Sequence, residues 1–314
     1  MSARVSVHYL PYCLCDYYLG IDAVGYFCWA YRPHDDRYKI KIEVPGGVPE
    51  SATILRSTEP GKTAALLARV YDQNNQLVPN VNVKLEVDVI PNSGGHQHPN
   101  APDRPKGSLS NGVTAGPIVT GSTGNNGMPF TFLAPASAGD HKITASCTDR
   151  TCTPEGPNQV WVGVKELEPL SPSLDYALIG ETNSHLDNHY LTNRANWALT
   201  KLAIDYNFVF KFTVPSVSVL NINDASLERG GIFDIKDDWK RPHAEHCMGT
   251  VVDIRANDEA GAISTENRNI FEETARRYGM DPLWEVPVTN GKQSWNLRHY
   301  HVRLLGQEGL QCPR

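Results

Sequence analysis

No apolar run in the 314-residue chain reaches the roughly 18 residues that a membrane-spanning helix requires, so no such helix is read from it. Nor is there an excess of basic charge. Lys and Arg number 29 against 35 Asp and Glu, for a net charge of -6 and a pI near 6.0, which argues against a nucleic-acid-binding face. HExxH is missing, and His243-Ala244-Glu245-His246 only imitates it, with one residue too few between the histidines. There is no pair of CxxC knuckles, which argues against a zinc ribbon, and no internal repeat or low-complexity tract. The N-terminus has no clean apolar core and no small-residue cleavage site, because His8, Pro11 and Asp16 interrupt it. Export by a signal of another kind, or a start lying upstream, is the expectation there.

What is present is an ordinary globular composition, 40% hydrophobic and 20% charged, at a length that suits two or three domains. Seven cysteines are unevenly placed. Cys13, Cys15 and Cys28 crowd the N-terminus, Cys247 and Cys312 stand alone, and Cys147 and Cys152 frame CTDRTC, a spacing suited to a small disulfide loop. That usage leans toward an oxidising compartment.

Residues 1–47 are read as a β-leaning segment, ending in the alternating run 38–44 (YKIKIEV) before Pro45-Gly46-Gly47 breaks the chain. Over 48–165, short alternating runs recur between turn signals, the pattern of a β-sandwich. Strands are predicted over 64–71, 81–89, 128–133, 141–147 and 159–164. Residues 166–173 (ELEPLSPS) read as a linker. Over 174–314 helix and strand mix without a βαβ rhythm, which suggests α+β. One helix is predicted over 193–206, with Thr192 as N-cap, and another over 264–278, ended by Gly279. Strands are expected over 214–222, 250–255 and 300–305.

The chemistry concentrates in HCMGTVVDI (246–254) and HYH (299–301). Residues two apart on a strand share a face. His299 and His301 therefore point one way and Tyr300 the other, while Val251 and Asp253 oppose Val252 and Ile254. Two imidazoles and a carboxylate, from His246, Asp253 and His301, make the ligand set of a zinc site with an open fourth position. A zinc-bound water there would have a pKa of roughly 7, and His299 beside the ion is placed to move protons.

Two resemblances follow from these residues. DQNNQLVPNVNVKLEV (72–87) and TGNNGMPFTFLAPASAGDHKITAS (123–146) make the first domain similar to a bacterial Ig-like domain of the invasin type, which implies a spacer or adhesive module. The pattern H-x-x-G-x-x-x-D-I followed by H-x-H, with NDASLERGGIFDIKDDWKRPHAEH (223–246) ahead of it, makes residues 174–314 resemble the LAS metallopeptidases. The likeness is to the D-Ala-D-Ala carboxypeptidase and murein endopeptidase branches of that hedgehog-fold group. It implies a small antiparallel sheet with flanking helices, zinc on His246, Asp253 and His301, a catalytic His299, and peptidoglycan peptides as substrate. The resulting expectation is a secreted, periplasmic or cell-surface monomer: an all-β Ig-like sandwich followed by an α+β zinc peptidase domain. The alternative is a catalytically inactive cell-surface binding or adhesion protein on the same fold. Arg298, where the carboxypeptidase branch often has Glu, and Cys247, where Arg is common, motivate it.

Other residues receive plainer readings. His96 and His98 could bind a metal, but no carboxylate or cysteine spacing completes a set with them or with His141, so a polar loop tip is favoured. His243 reads as a loop histidine, and Asp234 and Asp237 as caps or turns. Trp197, Trp239, Trp284 and Trp295 read as core or groove aromatics.

Overall fold

The computed structural model describes residues 38–98, 104–213, 219–234, 237–240, 245–256, 263, 265–289, 291–294 and 297–306. Cys13, Cys15, Cys28, Cys312, His243 and Trp295 lie outside them.

Strict alternation of apolar and polar residues builds the first domain. Thr63–Asp72, Asn82–Val89 and Gly139–Cys147 each bury every second side chain, as a strand packed on one face must. Two sheets result. One runs in the order Thr153–Glu155, Tyr38–Glu43, Thr63–Asp72, Met128–Leu133, Ser108–Ser110, Ala115–Gly116. The other runs Ile54–Thr58, Gln159–Val162, Gly139–Cys147, Asn82–Val89, Ile118–Ser122. Their inner faces share one core in which Leu55, Leu66, Leu85, Leu109, Phe132 and Ile143 are almost wholly buried. Each such side chain contributes roughly 1.5–3 kcal/mol of burial. Cys147 and Cys152 form the expected disulfide, with Cα atoms 5.6 Å apart.

The sandwich also holds short strands that the sequence reading does not predict, among them Ile54–Thr58, Ser108–Ser110 and Ile118–Ser122, and two segments are placed differently from that reading. Tyr38–Glu43 is a full member of the sandwich, antiparallel to Thr63–Asp72 and parallel to Thr153–Glu155. Its partners are distant in sequence, so local alternation could not show which domain it joins. The linker is not slack either, because Leu167–Pro169 pairs antiparallel with Tyr190–Thr192.

The second domain is α+β, with a five-stranded sheet ordered Tyr176–Leu178, Leu220–Asp224, Val251–Arg255, His299–Leu304, Met280–Glu285. The pairings are antiparallel except that of the first two strands. Helix α1 (Asn193–Thr213) begins after Thr192, whose hydroxyl accepts from Ala195 N–H at 3.4 Å. Helix α2 (Arg268–Arg277) follows a single helical turn at Thr265–Asn267 and stops before Gly279, whose φ of 74° suits glycine. Both helices cover one face of the sheet. Leu199, Leu202 and Tyr206 of α1 and Phe271 and Ala275 of α2 share a core with Ile222, Val252, Ile254, Tyr300 and Val302. That packing leaves Asp253, His299 and His301 on the opposite face, as the period of two requires. Trp284 packs at 5.1 Å on the Tyr300 ring, whereas Trp197 is 55% exposed rather than in the core.

The two domains interlock through backbone. Val164 N–H donates to Arg229 O at 2.9 Å, Ile232 N–H to Ala136 O at 3.0 Å, and Gln97 N–H to Ser184 O at 2.8 Å. Ser137 and Gly231 form a β-bridge, and Arg229 pairs with Asp140 at 2.6 Å. Arg229 also lies over the Trp161 ring.

Candidate metal centre

His246 opens a single helical turn, His246–Met248, which Gly249 ends at φ 66° and turns into the strand Val251–Arg255. Only that sharp reversal lets an imidazole ahead of the strand reach a carboxylate within it. Asp253 then stands directly opposite His301 in the antiparallel register. His246, Asp253 and His301 are 0%, 2% and 8% exposed, and each offers a ligand atom within 4.8 Å of the others. This group can hold a metal ion.

The distances define the donors. His301 Nδ1 lies 2.8 Å from Asp253 Oδ1, and His246 Nε2 lies 3.4 Å from the same oxygen. His246 Nδ1–H donates to Ala225 O at 2.8 Å, which fixes the tautomer and leaves Nε2 a lone pair toward the centre. His301 Nε2 donates to Glu245 Oε2 at 3.3 Å, and Arg303 grips Glu245 through both Nε and Nη2, the latter at 2.9 Å from Oε1. A carboxylate behind a ligand imidazole orients the ring and raises its basicity. Glu245 and Arg303 therefore belong to the site. The sequence shows Glu245 only as part of a false HExxH and gives no sign that Arg303 meets it, because their meeting depends on the path of the chain around His246.

Electrostatics favour charge separation here. Burial opposes ionisation of Asp253, but His246 and His301 hold its carboxyl well below the usual carboxylate range. Burial likewise works against His246⁺, and Asp253 outweighs it, raising the imidazole. Asp224, paired with Asp253 across the adjacent strands, is pushed up by burial while Asn188 donates to it at 2.9 Å. His299 sits on the same face, with Nε2 3.7 Å from Asp253 Oδ2 and 3.6 Å from Glu285 Oε2. Arg298 turns away to donate to Ala256 O at 2.9 Å, and Cys247 is buried and disulfide-bonded.

Arg303→Gln tests the outer layer. It should free Glu245 and weaken metal binding about 10–100-fold, read by competition with a chromophoric chelator. Unchanged affinity would remove Glu245 from the site.

The remaining histidines fall elsewhere. His141 is buried against Phe132, with Nδ1 3.2 Å from Gly139 O, and burial lowers its pKa to about 4. His96 and His98 gather with His185 and Asp234 at the domain junction, a second group able to hold a metal ion. Asp234 is thus not merely a turn residue.

No family model matches this chain, and no curated protein does. Among solved structures it is similar to the adhesin InvE of Yersinia pseudotuberculosis, at 12% identity over 62% of this chain and 63% of that one, with a TM-score of 0.31. It is similar to the Escherichia coli adhesin FdeC, at 10% identity over 45% and 37%, TM-score 0.24. The D0-D1 domains of intimin match at 15% identity over 39% and 46%, TM-score 0.22. The chain spans less than two thirds of each of them. The LAS-peptidase recognition is corrected, together with the hydrolase reading and its peptidoglycan-peptide substrate: no family model or curated protein matches, and the solved structures named above are adhesins or intimin domains, not peptidases. The physical reason is that two imidazoles and a carboxylate on paired strands define a ligand set, and a ligand set does not by itself specify hydrolysis.

Proposed function

We propose that this chain is a cell-surface binding protein, an Ig-like strut joined rigidly to an α+β head, acting as a monomer on a cell-wall polymer. The observation that carries the reading is the junction. Its backbone hydrogen bonds and the Arg229–Asp140 pair tie the head to the strut as one body, which suits a module that transmits load. The disulfide at Cys147–Cys152 fits an oxidising compartment. The ion assigned to His246, Asp253 and His301 is zinc, because neutral imidazoles with one carboxylate suit it better than calcium or magnesium. Its part is to brace the sheet face, with His299 a neighbour of Asp253.

Sedimentation with purified cell walls tests this. The chain should pellet with the walls, and no new amino groups should appear in solution. A chain left in the supernatant, or a steady release of amino groups, would overturn the reading.

A further inference from the structure

Three imidazoles and one carboxylate from separate parts of the chain meet where the two domains join. His96 and His98 come from the sandwich loop after Asn82–Val89, and His185 from the turn that precedes Tyr190–Thr192. Asp234 follows the Gly230-Gly231 crossing. His96, His185 and Asp234 are 1%, 2% and 0% exposed, and the His98 side chain is 8% exposed. His96 Nδ1, His98 Nε2 and His185 Nε2 lie 3.4, 3.4 and 3.2 Å from Asp234 Oδ1, and the first two are 3.1 Å apart.

These separations match a tetrahedron. Metal–ligand bonds of about 2.0–2.1 Å, the lengths zinc makes to nitrogen and carboxylate oxygen, place ligand atoms about 3.3–3.4 Å from one another. Hydrogen bonding satisfies the group only in part: His185 can donate to Asp234 Oδ1, and His96 and His98 can share a proton. If all three inward nitrogens carried protons, those protons would converge on a single oxygen. If they presented lone pairs, they would repel the carboxylate. A dication at the centre turns all four atoms into donors. The surroundings orient them for it. Trp239 N–H donates to Asp234 Oδ2 at 2.7 Å, which leaves Oδ1 toward the imidazoles. The Trp239 ring lies 4.7 Å from His96 and 4.5 Å from His98, centroid to centroid, and walls the site.

We propose that His96, His98, His185 and Asp234 form a second metal site, closed and four-coordinate, which takes a zinc-class divalent transition metal and staples the sandwich to the α+β domain. Four protein ligands leave no open position, so the role is structural. The staple is independent of the adhesion reading and of the centre at His246. Phe233 separates the two groups, with its ring 5.3 Å from His185 and 6.3 Å from His246.

The full chain, stripped with chelator and titrated with Co²⁺, reports the site through the visible absorption of tetrahedral cobalt. A chain carrying His185→Ala and Asp234→Asn should bind one equivalent fewer than wild type, while a His246→Ala chain keeps that equivalent. Equal stoichiometry in wild type and the His185/Asp234 variant would overturn the proposal. Should the variant fail to fold, amide exchange in wild type decides. Added Zn²⁺ should slow exchange at Gln97 and Leu186, whose N–H groups cross the junction to Ser184 O and to the Gln97 side chain, by about 10-fold or more. Exchange unaffected by Zn²⁺ would count against the staple.

Discussion

Replacing Asp253 with alanine should destabilise the α+β domain by roughly 3–5 kcal/mol even in excess chelator, the cost of breaking a buried charge pair from one side. Asp253 is 2% exposed and, among the described residues, is the carboxylate that faces His246, His301 and His299 together. Without it, the fully buried His246 loses its nearest carboxylate and His301 keeps only Glu245, 3.3 Å from its Nε2, while burial pushes the Asp224 carboxyl up across the sheet. For a domain of this size the midpoint should fall by on the order of 10 °C. Asp253→Asn keeps the shape and one acceptor and should cost less. Denaturant titration with chelator present isolates the polypeptide's share, and repeating it with Zn²⁺ adds the metal's. A loss below about 1 kcal/mol in chelator would mean that the imidazoles do not depend on this carboxylate.

Gly231→Ala should have the second-largest effect, roughly 3 kcal/mol or more, and it should act on the junction rather than on either core. Gly231 has φ 78°, and a Cβ there would lie 2.6 Å from Ala138 N and 2.9 Å from Ala136 O. Both are backbone atoms, so no side-chain rotation relieves the overlap. Left-handed strain contributes about 1–2 kcal/mol and overpacking about 1–3 kcal/mol. The Ser137–Gly231 bridge and the Ile232–Ala136 hydrogen bond lie against the displaced segment. Gly46→Ala is the control, because Gly46 has φ 66° with nothing within 4 Å of the added Cβ, so it carries the strain without the collision. Calorimetry should show Gly231→Ala separating the unfolding of the two domains, while Gly46→Ala lowers a single transition slightly. Equal effects of the two substitutions would mean that the junction tolerates displacement.

Both effects arise from contacts that differ in how far they could be read in advance. The arrangement on the strands of the second sheet was legible, since alternation over 251–254 and 299–301 sets which side chains share a face, and packing against α1 and α2 buries Val252, Ile254, Tyr300 and Val302 as that alternation demands. What the face is used for was not legible. The resemblance carried by the ligand pattern implied a peptidase, and no family model or curated protein matches the chain. A short motif reports the geometry of donors around an ion, whereas the use of the ion depends on what surrounds it.

The sequence by itself determined the longer strands of the sandwich, the presence of both helices, the sandwich followed by an α+β domain, the Cys147–Cys152 loop, and which side chains of 251–254 and 299–301 share a face. Each rests on period, spacing or turn chemistry within a short window, where local sterics decide. Only the tertiary structure decided that Tyr38–Glu43 belongs to the sandwich, that Arg303 clamps Glu245 behind His301, and that His96 and His98 meet His185 and Asp234. Those associations join segments far apart in sequence. They form because the domains dock through backbone groups that must find partners once buried, and the docking brings together side chains whose spacing along the chain carries no trace of it.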